Sequence, residues 1–305
     1  MPDEKKTVNF DKLWDYDDPV GTEKSFRRVM PEVKAGGRLA YLELLTQIAR
    51  AQGLQHKFAE AHATLNTVEK QLPHVPEGIR GRTSAIIPQL YRPKVRYLLE
   101  RGRVFNSSKH PDKAKPYFLK AWTLGQYAKL DNFAVDAAHM MGIVEPPESA
   151  LKWNEKAIKA AELSSDPAAN RWLGSLYNNT GWTYYSKGDY QSALKLLQNA
   201  QVYFNEHGDA GQKRIAKYSV GKALRSLGRV DESYAMQLEV KKEVDRDKVP
   251  DGYVSEELAE CLLLLKRPDE AKTYFIEAYD VLSKDRDFVE SEPKRLKRLK
   301  EMSGR

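Results

Sequence analysis

Histidine is the residue type to examine first for chemistry, because imidazole serves both as a general base and as a metal ligand. None of the six histidines stands at metal-ligand spacing from another histidine, a cysteine or a catalytic carboxylate on the same helical face: His56, His62, His74, His110, His139 and His207. The sequence also contains no phosphate-binding glycine loop and no nucleophile elbow. We therefore predict a chain without catalytic residues, metal ions or cofactors.

Two further stretches contain groups that could bind or react, and each has a simpler interpretation. The acidic stretch DYDDP, residues 15–19, lacks the glycine and the bidentate glutamate of a calcium loop. We predict instead that its aspartates begin a helix. Cys261 is the only cysteine of the chain, and the apolar residues around it predict a buried thiol rather than a nucleophile.

Cysteine usage and the first residues indicate a compartment. One cysteine cannot form an intramolecular disulfide, which favours a reducing environment. The first ten residues, MPDEKKTVNF, lack the apolar core of a signal peptide. Further along the chain, no run approaches the roughly 20 apolar residues of a membrane span. We expect a cytoplasmic or nuclear protein that does not enter a membrane.

The net charge of +7 is concentrated in two stretches. Residues 80–109 hold eight basic residues and one glutamate, and residues 294–305, KRLKRLKEMSGR, hold six basic residues and one glutamate. Tyr91, Tyr97 and Phe105 lie within the first stretch, and such a combination is typical of nucleic-acid contacts. The second stretch is typical of a helix end, where the helix dipole favours cations; the alternative is a localisation or polybasic signal.

Internal repetition is the strongest signal of architecture. A pair of small residues twelve positions apart recurs six times, at Ala49/Ala61, Gly102/Ala114, Ala138/Ala150, Gly181/Ala193, Gly221/Ser233 and Ala259/Ala271. Glycine in a helix interior costs about 1 kcal/mol relative to alanine, so its presence at Gly181 indicates a need for close contact. We predict six antiparallel helix hairpins whose backbones approach where the side chains are small.

Turn and cap residues lie between the two members of each pair. Proline suits the first turn of a helix, because its missing amide hydrogen would have no intrahelical acceptor there. We predict this position for Pro111, Pro147 and Pro268. Aspartate accepts hydrogen bonds at a helix start and complements its positive end, and we predict that role for Asp189, Asp231 and Asp269.

The pattern resembles the tetratricopeptide repeat, most clearly in the central unit. There Tyr177, Thr180, Gly181 and Tyr184 of the first helix are followed by Ala193, Leu197 and Ala200 of the second. The resemblance covers about residues 38–285, with repeats of 36 to 53 residues against the usual 34. It implies an all-α fold: a right-handed α-α superhelix, or solenoid, of about six helix hairpins with terminal capping helices.

The expected domain organisation has three parts. Residues 1–37 form an N-terminal segment and a capping helix over TEKSFRRVMPEVKA, residues 22–35. Residues 38–285 form the repeat array, interrupted at 72–93 by an insertion rich in proline and glycine that predicts a loop with one short helix. Residues 286–305 form a basic closing helix and tail, because a terminal repeat needs a cap with a polar outer side.

The resemblance further implies that the first helices of successive repeats line a concave groove. Their outward positions hold Gln47, Arg50, Arg96, Arg103, Asn106, His139, Asn178, Asn179, Trp182, Tyr185, Tyr218, Lys222, Arg225, Glu256 and Glu260. Amides can bond a peptide backbone, aromatic rings supply apolar area, and Arg225 with Lys222 can meet a carboxylate or phosphate. The alternatives are solvated helix surface for Asn178 and Asn179, and packing against the adjacent first helix for Trp182.

We accordingly expect a non-enzymatic scaffold that binds a peptide or partner protein carrying acidic groups. A carboxylate clamp for chaperone tails is disfavoured, because no repeat has both the lysine and the asparagine that it needs one turn apart. The alternative function is the binding of RNA or another nucleic acid through residues 80–109.

Overall fold

The computed structural model describes residues 9–73 and 86–305, and every regular element in these two ranges is a helix. The expected all-α repeat fold is thus confirmed. The chain divides into two compact units, Met1–Trp172 and Leu173–Arg305, here named unit 1 and unit 2 and described separately.

Unit 1 begins with a short 3-10 helix at Phe10–Leu13. Its α-helices are α1 Pro19–Gly36, α2 Arg38–Leu54, α3 Phe58–Gln71, α4 Ile86–Ser107, α5 Pro111–Tyr127, α6 Asp131–Val144, α7 Pro147–Leu163 and α8 Pro167–Asn170. Three hairpins, α2/α3, α4/α5 and α6/α7, are formed by helices that pack against each other. Phe26 of α1 and Phe118 of α5 are fully buried between them, and burying a side chain of this size contributes about 1.5–3 kcal/mol.

Unit 2 is built in the same way. Its helices are α9 Leu173–Ser186, α10 Tyr190–His207, α11 Ala210–Ser226, α12 Val230–Asp247, α13 Gly252–Leu264, α14 Pro268–Leu282, α15 Arg286–Ser291 and α16 Pro293–Ser303. The hairpins are α9/α10, α11/α12 and α13/α14. All six predicted hairpins are therefore present, three in each unit.

The small residues lie where the two helices of a hairpin touch. A Cβ atom added to Gly181 would lie 3.4 Å from the Ala193 carbonyl oxygen and 2.8 Å from Leu197. Ser233 replaces the alanine of the other hairpins, and its hydroxyl donates a hydrogen bond of 2.7 Å to the Gly221 carbonyl oxygen. The predicted close contact of helices in each pair is confirmed at these positions.

Five hairpins turn through a left-handed residue at the same place, seven positions after the first small residue. These residues are His56, Lys109, Gly188, Gly228 and Lys266, with φ between 59° and 80°. The hairpin α6/α7 differs because Glu145 precedes Pro146, and a residue before proline is held extended. Glu145 has φ −85° and ψ 153°.

The helix starts follow the predicted cap chemistry. Pro111, Pro147 and Pro268 occupy the first turns of α5, α7 and α14. Asp189 accepts a hydrogen bond of 3.0 Å from the Ser192 amide, and Asp231 and Asp269 lie in the first turns of α12 and α14. Within the stretch DYDDP, Asp18 caps α1 through the Gly21 amide at 2.8 Å, so this stretch begins a helix as predicted.

Two segments differ from the sequence-based expectation. The stretch 286–302 forms α15 and α16 rather than one helix, because Pro293 lacks the amide hydrogen that would continue α15. Within 72–93, α4 already begins at Ile86, so the end of that stretch belongs to a long first helix of a hairpin. The rest of the predicted insertion, residues 74–85, lies outside the described residues. In the part of the chain that the structure describes, no helix is long and apolar enough to span a membrane.

Lys266→Gly is expected to stabilise unit 2 by about 0.5–1 kcal/mol, since glycine adopts a positive φ without the steric cost that a Cβ atom imposes. Lys266 has φ 61° and is exposed, so little packing is lost. Urea denaturation followed by circular dichroism measures the change. Lys266→Ala retains the Cβ atom and serves as the control. A glycine variant no more stable than the alanine variant would contradict a conformational cost at this turn.

Candidate functional site

Ten side chains on one side of α2, α4 and α6 form a largely polar surface, here named the unit 1 face. Its members are Glu43, Gln47 and Arg50 of α2, Arg92, Arg96, Glu100 and Arg103 of α4, and Phe133, Asp136 and His139 of α6. Within each helix they follow one another in steps of three or four residues, which places them on one side. The face brings together five of the six residues predicted for the groove in this unit: Gln47, Arg50, Arg96, Arg103 and His139. The sixth, Asn106, is half-buried one turn after Arg103 on α4.

Ion pairs connect the three helices along this face. Arg50 Nη1 lies 3.4 Å from Glu100 Oε1, Arg103 Nη1 lies 2.7 Å from the same oxygen, and Arg103 Nη2 lies 2.5 Å from Asp136 Oδ1. Although burial disfavours its charge, the pKa of Arg103 is raised above its ordinary value by Asp136 and Glu100. Arg50 and Arg103 are thus already paired within unit 1.

A second cluster surrounds Glu43. Arg92 Nε lies 2.8 Å and Arg96 Nε 3.3 Å from Glu43 Oε2. Burial raises the pKa of Glu43, although both guanidinium groups act in the opposite direction. Two guanidinium groups share this one carboxylate, so the cluster has an excess positive charge that a further anion can balance.

That anion is Asp11 of the residues before α1. Residues 9–17, here named the N-terminal segment, lie against the unit 1 face, and Asp11 Oδ2 is 2.6 Å from Arg96 Nη2. The Trp14 indole donates a hydrogen bond of 3.0 Å to Gln47 Oε1. Phe10 is buried, and the Arg96 guanidinium lies 5.8 Å from the centre of its ring.

Aromatic contacts also hold the N-terminal segment on the unit 1 face. The rings of Trp14 and Tyr16 stack with centroids 4.9 Å apart and planes 9° apart. The Arg50 guanidinium lies 5.5 Å from the Trp14 ring and 5.4 Å from the Tyr16 ring, within the range of cation–π attraction. Residues predicted to face a partner thus hold a segment of the chain itself, which sequence reasoning did not foresee.

The corresponding side of unit 2 is formed by α9, α11 and α13, and it is here named the unit 2 face. Its members are Asn178, Asn179, Trp182 and Tyr185 of α9, Tyr218, Lys222 and Arg225 of α11, and Glu256, Glu257 and Glu260 of α13. The predicted groove residues of unit 2 therefore lie on three successive first helices. Glu257 was not among them.

Glu257 is the central charge of this face. Its side chain is 1% exposed, and it lies 2.9 Å from Lys222 Nζ and accepts hydrogen bonds of 2.7 Å and 3.0 Å from Arg225. Burial raises the pKa of this carboxyl, but the two cations outweigh burial and hold it below its ordinary value. Arg225 and Lys222, which we expected to meet a carboxylate or phosphate of a ligand, thus pair with a carboxylate of the chain itself. Burial raises the pKa of the neighbouring Tyr218 to about 12.

Three of these ion pairs share one register, which we name a rung. The first residue of a rung lies one position after the first small residue of a hairpin. The second residue lies two positions before the first small residue of the next hairpin. The rungs are Arg50–Glu100, Arg103–Asp136 and Lys222–Glu257. Applying the small-residue register to charges of both signs would have identified Glu100, Asp136 and Glu257 from the sequence.

The acids of α13 are paired with the closing helix. Arg295 forms a bidentate ion pair with Glu256, with Nε 2.7 Å from Oε1, and Arg298 pairs with Glu260. The Arg295 guanidinium also lies 5.4 Å from the Tyr253 ring. The basic stretch 294–305 therefore binds the chain's own carboxylates at these positions.

On α9, the aromatic residues are half-buried and one asparagine is exposed. Trp182 packs against the cluster that contains Leu197 and Leu224, and its ring centre lies 5.1 Å from that of Tyr185. The Tyr185 hydroxyl lies 2.8 Å from Ser226 Oγ. Asn179 is exposed beside them. The packing role considered for Trp182 is thus present, with part of the ring still accessible.

Four basic residues of the stretch 80–109 are engaged within unit 1. Arg92, Arg96 and Arg103 pair with the carboxylates of the unit 1 face, and Arg101 Nη2 lies 2.6 Å from Asn66 Oδ1. Arg80 and Arg82 lie outside the described residues. In residues 9–73 and 88–305, no group of three histidine, cysteine, aspartate or glutamate side chains is arranged to hold a metal ion.

Acidification is expected to destabilise unit 1 through His139 and His62. Burial lowers the pKa of both imidazoles. At His139 the neighbouring Asp136 opposes this effect and Arg103 adds to it, and the pKa stays below its ordinary value. At His62 the charge of Arg101 adds to burial. An unfolded chain titrates near pH 6.5, so just below this pH it binds more protons than the folded chain, and stability falls as the pH falls.

Urea midpoints at pH 7.5 and 5.5 measure this loss, and His139→Gln should reduce the difference between them. His207→Gln, at an exposed position of unit 2, is the control and should leave the difference unchanged. An unaltered pH difference in the His139→Gln chain would show that this imidazole is not held neutral by its surroundings.

Comparisons with known proteins show which solved structures share this fold. No protein-family model matches the sequence, and no curated protein sequence matches it. The apo form of RapI matches with a TM-score of 0.68 and 11% identity over 97% of this chain and 81% of that chain. A signal transduction ATPase with a tetratricopeptide repeat sensor from Pyrococcus horikoshii matches with a TM-score of 0.64 and 15% identity, over 95% of this chain and 42% of that chain.

A putative kinesin light chain with nearly identical tetratricopeptide-like repeats, from Podosopora anserina, matches with a TM-score of 0.50 and 13% identity, over 70% of this chain and 99% of that chain. At such identities the likeness is one of fold. The chain has the fold of a tetratricopeptide-like helical repeat protein.

Proposed function

We propose that this chain is a non-enzymatic interaction protein that binds a segment of a partner polypeptide on its first-helix faces. The unit 1 face supports this proposal most directly, because it already holds nine residues of polypeptide from outside the hairpins. One carboxylate, one indole hydrogen bond and stacked aromatic rings fix that segment. A surface that binds a segment of its own chain has the groups needed to bind a similar segment from a partner.

The unit 2 face offers the means to bind a second segment. Asn179 presents an exposed amide, which can both donate to and accept from a peptide backbone. The half-buried rings of Trp182 and Tyr185 lie next to it, and such residues supply apolar area with few rotatable bonds. Lys222 and Arg225 share the single carboxylate of Glu257, so both cations are engaged and one positive charge is left in excess. We assign affinity on this face chiefly to the amide and the rings, with this excess charge favouring a ligand that carries an acidic group.

The pairing of the arginines in unit 1 favours polypeptide over nucleic acid as the ligand. The arginines from Arg92 to Arg103 are paired or hydrogen-bonded within unit 1, so they would have to leave these partners to contact phosphate. Cys261, the only cysteine, is buried, and we propose that the protein works in the cytoplasm or nucleus, where thiols stay reduced.

Selection of peptides on the full chain tests this function. Random linear peptides displayed on phage are expected to yield binders, because the unit 2 face exposes an amide beside accessible rings. Asn179→Arg should weaken the selected peptides at least ten-fold in fluorescence anisotropy, since a long cation would cover the adjacent rings.

Val202→Arg is the matched control, because Val202 is 61% exposed on the second helix of the same hairpin. This variant should bind the peptides as the wild-type chain does. Peptides whose affinity is the same for both variants, or a selection without binders, would contradict binding on the unit 2 face.

A further inference from the structure

We propose that the N-terminal segment is an internal ligand of the unit 1 face, and that the partner segment which replaces it carries the same groups. These are a carboxylate at the place of Asp11, an indole three residues later at Trp14, and a second aromatic ring at Tyr16. The inference rests on the proposed function and specifies the partner chemistry of one face.

Charge balance requires an anion in the partner segment. Without the N-terminal segment, the four arginines of the unit 1 face meet only three carboxylates, Glu43, Glu100 and Asp136. A ligand that covers Arg96 without supplying an anion would leave Arg92 and Arg96 to share Glu43 alone, and a guanidinium buried with half a partner is costly. Asp11 completes this set through Arg96 at 2.6 Å and Arg92 at 3.4 Å.

Aromatic groups are required next to the anion. Gln47 is buried, and its Oε1 atom accepts the Trp14 indole hydrogen, so a ligand without a donor there leaves a buried acceptor unpaired. The Arg50 guanidinium lies about equally far from the Trp14 and Tyr16 rings. An acidic segment that lacks these rings would therefore pair with Arg96, but it would leave Gln47 without a donor and Arg50 without its ring contacts.

The N-terminal segment is placed so that it can leave without unfolding a hairpin. It precedes α1 and adds no helix to the α2/α3, α4/α5 or α6/α7 hairpins. Phe10 is its one buried side chain, whereas the Asp11 side chain is 40% exposed and Tyr16 is 58% exposed. Such ion pairs are weak individually, and the start of α1 is fixed separately by the Asp18 cap.

Competition with a tethered segment sets the size of the effect. A short tether holds its ligand at an effective concentration on the order of 1 mM. If the free segment bound with a Kd of about 100 µM, the tether would lower the apparent affinity of an outside peptide roughly ten-fold. Substitutions that weaken the binding of the internal segment should therefore raise the apparent affinity of the outside peptide by the same factor.

The test uses the full chain and a fluorescein-labelled peptide of residues 9–17, NFDKLWDYD. In fluorescence anisotropy, the chain with Asp11→Asn and Trp14→Ala should bind this peptide at least ten-fold more tightly than the wild-type chain. Asp17→Asn removes one carboxylate from the same segment without touching the arginines, and it should bind as the wild type does. A peptide with asparagine at the place of Asp11 should bind the double variant at least ten-fold more weakly than the unaltered peptide.

Equal binding by the wild-type chain and the double variant would overturn the proposal, as would no binding by a double variant whose circular dichroism is native. A wild-type chain that is dimeric in sedimentation, and monomeric with the double substitution, would overturn it in favour of exchange of the segment between copies. Peptides selected on the unit 2 face bind independently of these outcomes, so the proposed function can survive failure of this inference.

Discussion

Close contact between the two helices of each hairpin is the constraint on which the rest of this structure depends. At Gly102 an added Cβ atom would lie 2.5 Å from the Phe118 ring, and at Gly221 it would lie 2.6 Å from the Gln237 amide nitrogen. Such positions admit one relative placement of the helices, because a shift along the axis would bring a larger side chain into the contact. The small-residue pairs therefore fix the register of every hairpin, and with it the direction in which each first helix presents its polar side.

That register determines the electrostatics of both faces. In three places a cation one position after the small residue meets a carboxylate two positions before the small residue of the following hairpin, as Arg103 meets Asp136. Most charges on the faces are consequently neutralised within a unit, and an unpaired partner would be costly at that depth. What remains for a ligand is the Asp11 position between Arg92 and Arg96, the Gln47 acceptor, and accessible aromatic and amide groups.

The sequence was sufficient to predict the hairpins and their caps, because these depend on local spacing and on single residue types. The pairing of the charges was missed, since Glu100 and Glu257 were not compared with cations in the preceding hairpin. The position of the N-terminal segment could not be predicted, because Phe10, Asp11 and Trp14 contact α2 and α4 without any periodic pattern. The break at Pro293 was visible in the sequence but was outweighed by the continuous basic pattern around it.

Alanine substitution at two helical glycines tests the central constraint most directly. Gly53→Ala adds a Cβ atom that meets Val104 at an ordinary 3.5 Å, so the better helix propensity of alanine should leave stability unchanged or raise it by up to about 1 kcal/mol. Gly181→Ala adds the same atom 2.8 Å from Leu197, and overpacking should outweigh propensity and cost about 1 kcal/mol. Opposite signs in the free energies of unfolding are the result that this account predicts. Stabilisation by both substitutions would show that the helices of the central hairpin do not depend on close contact.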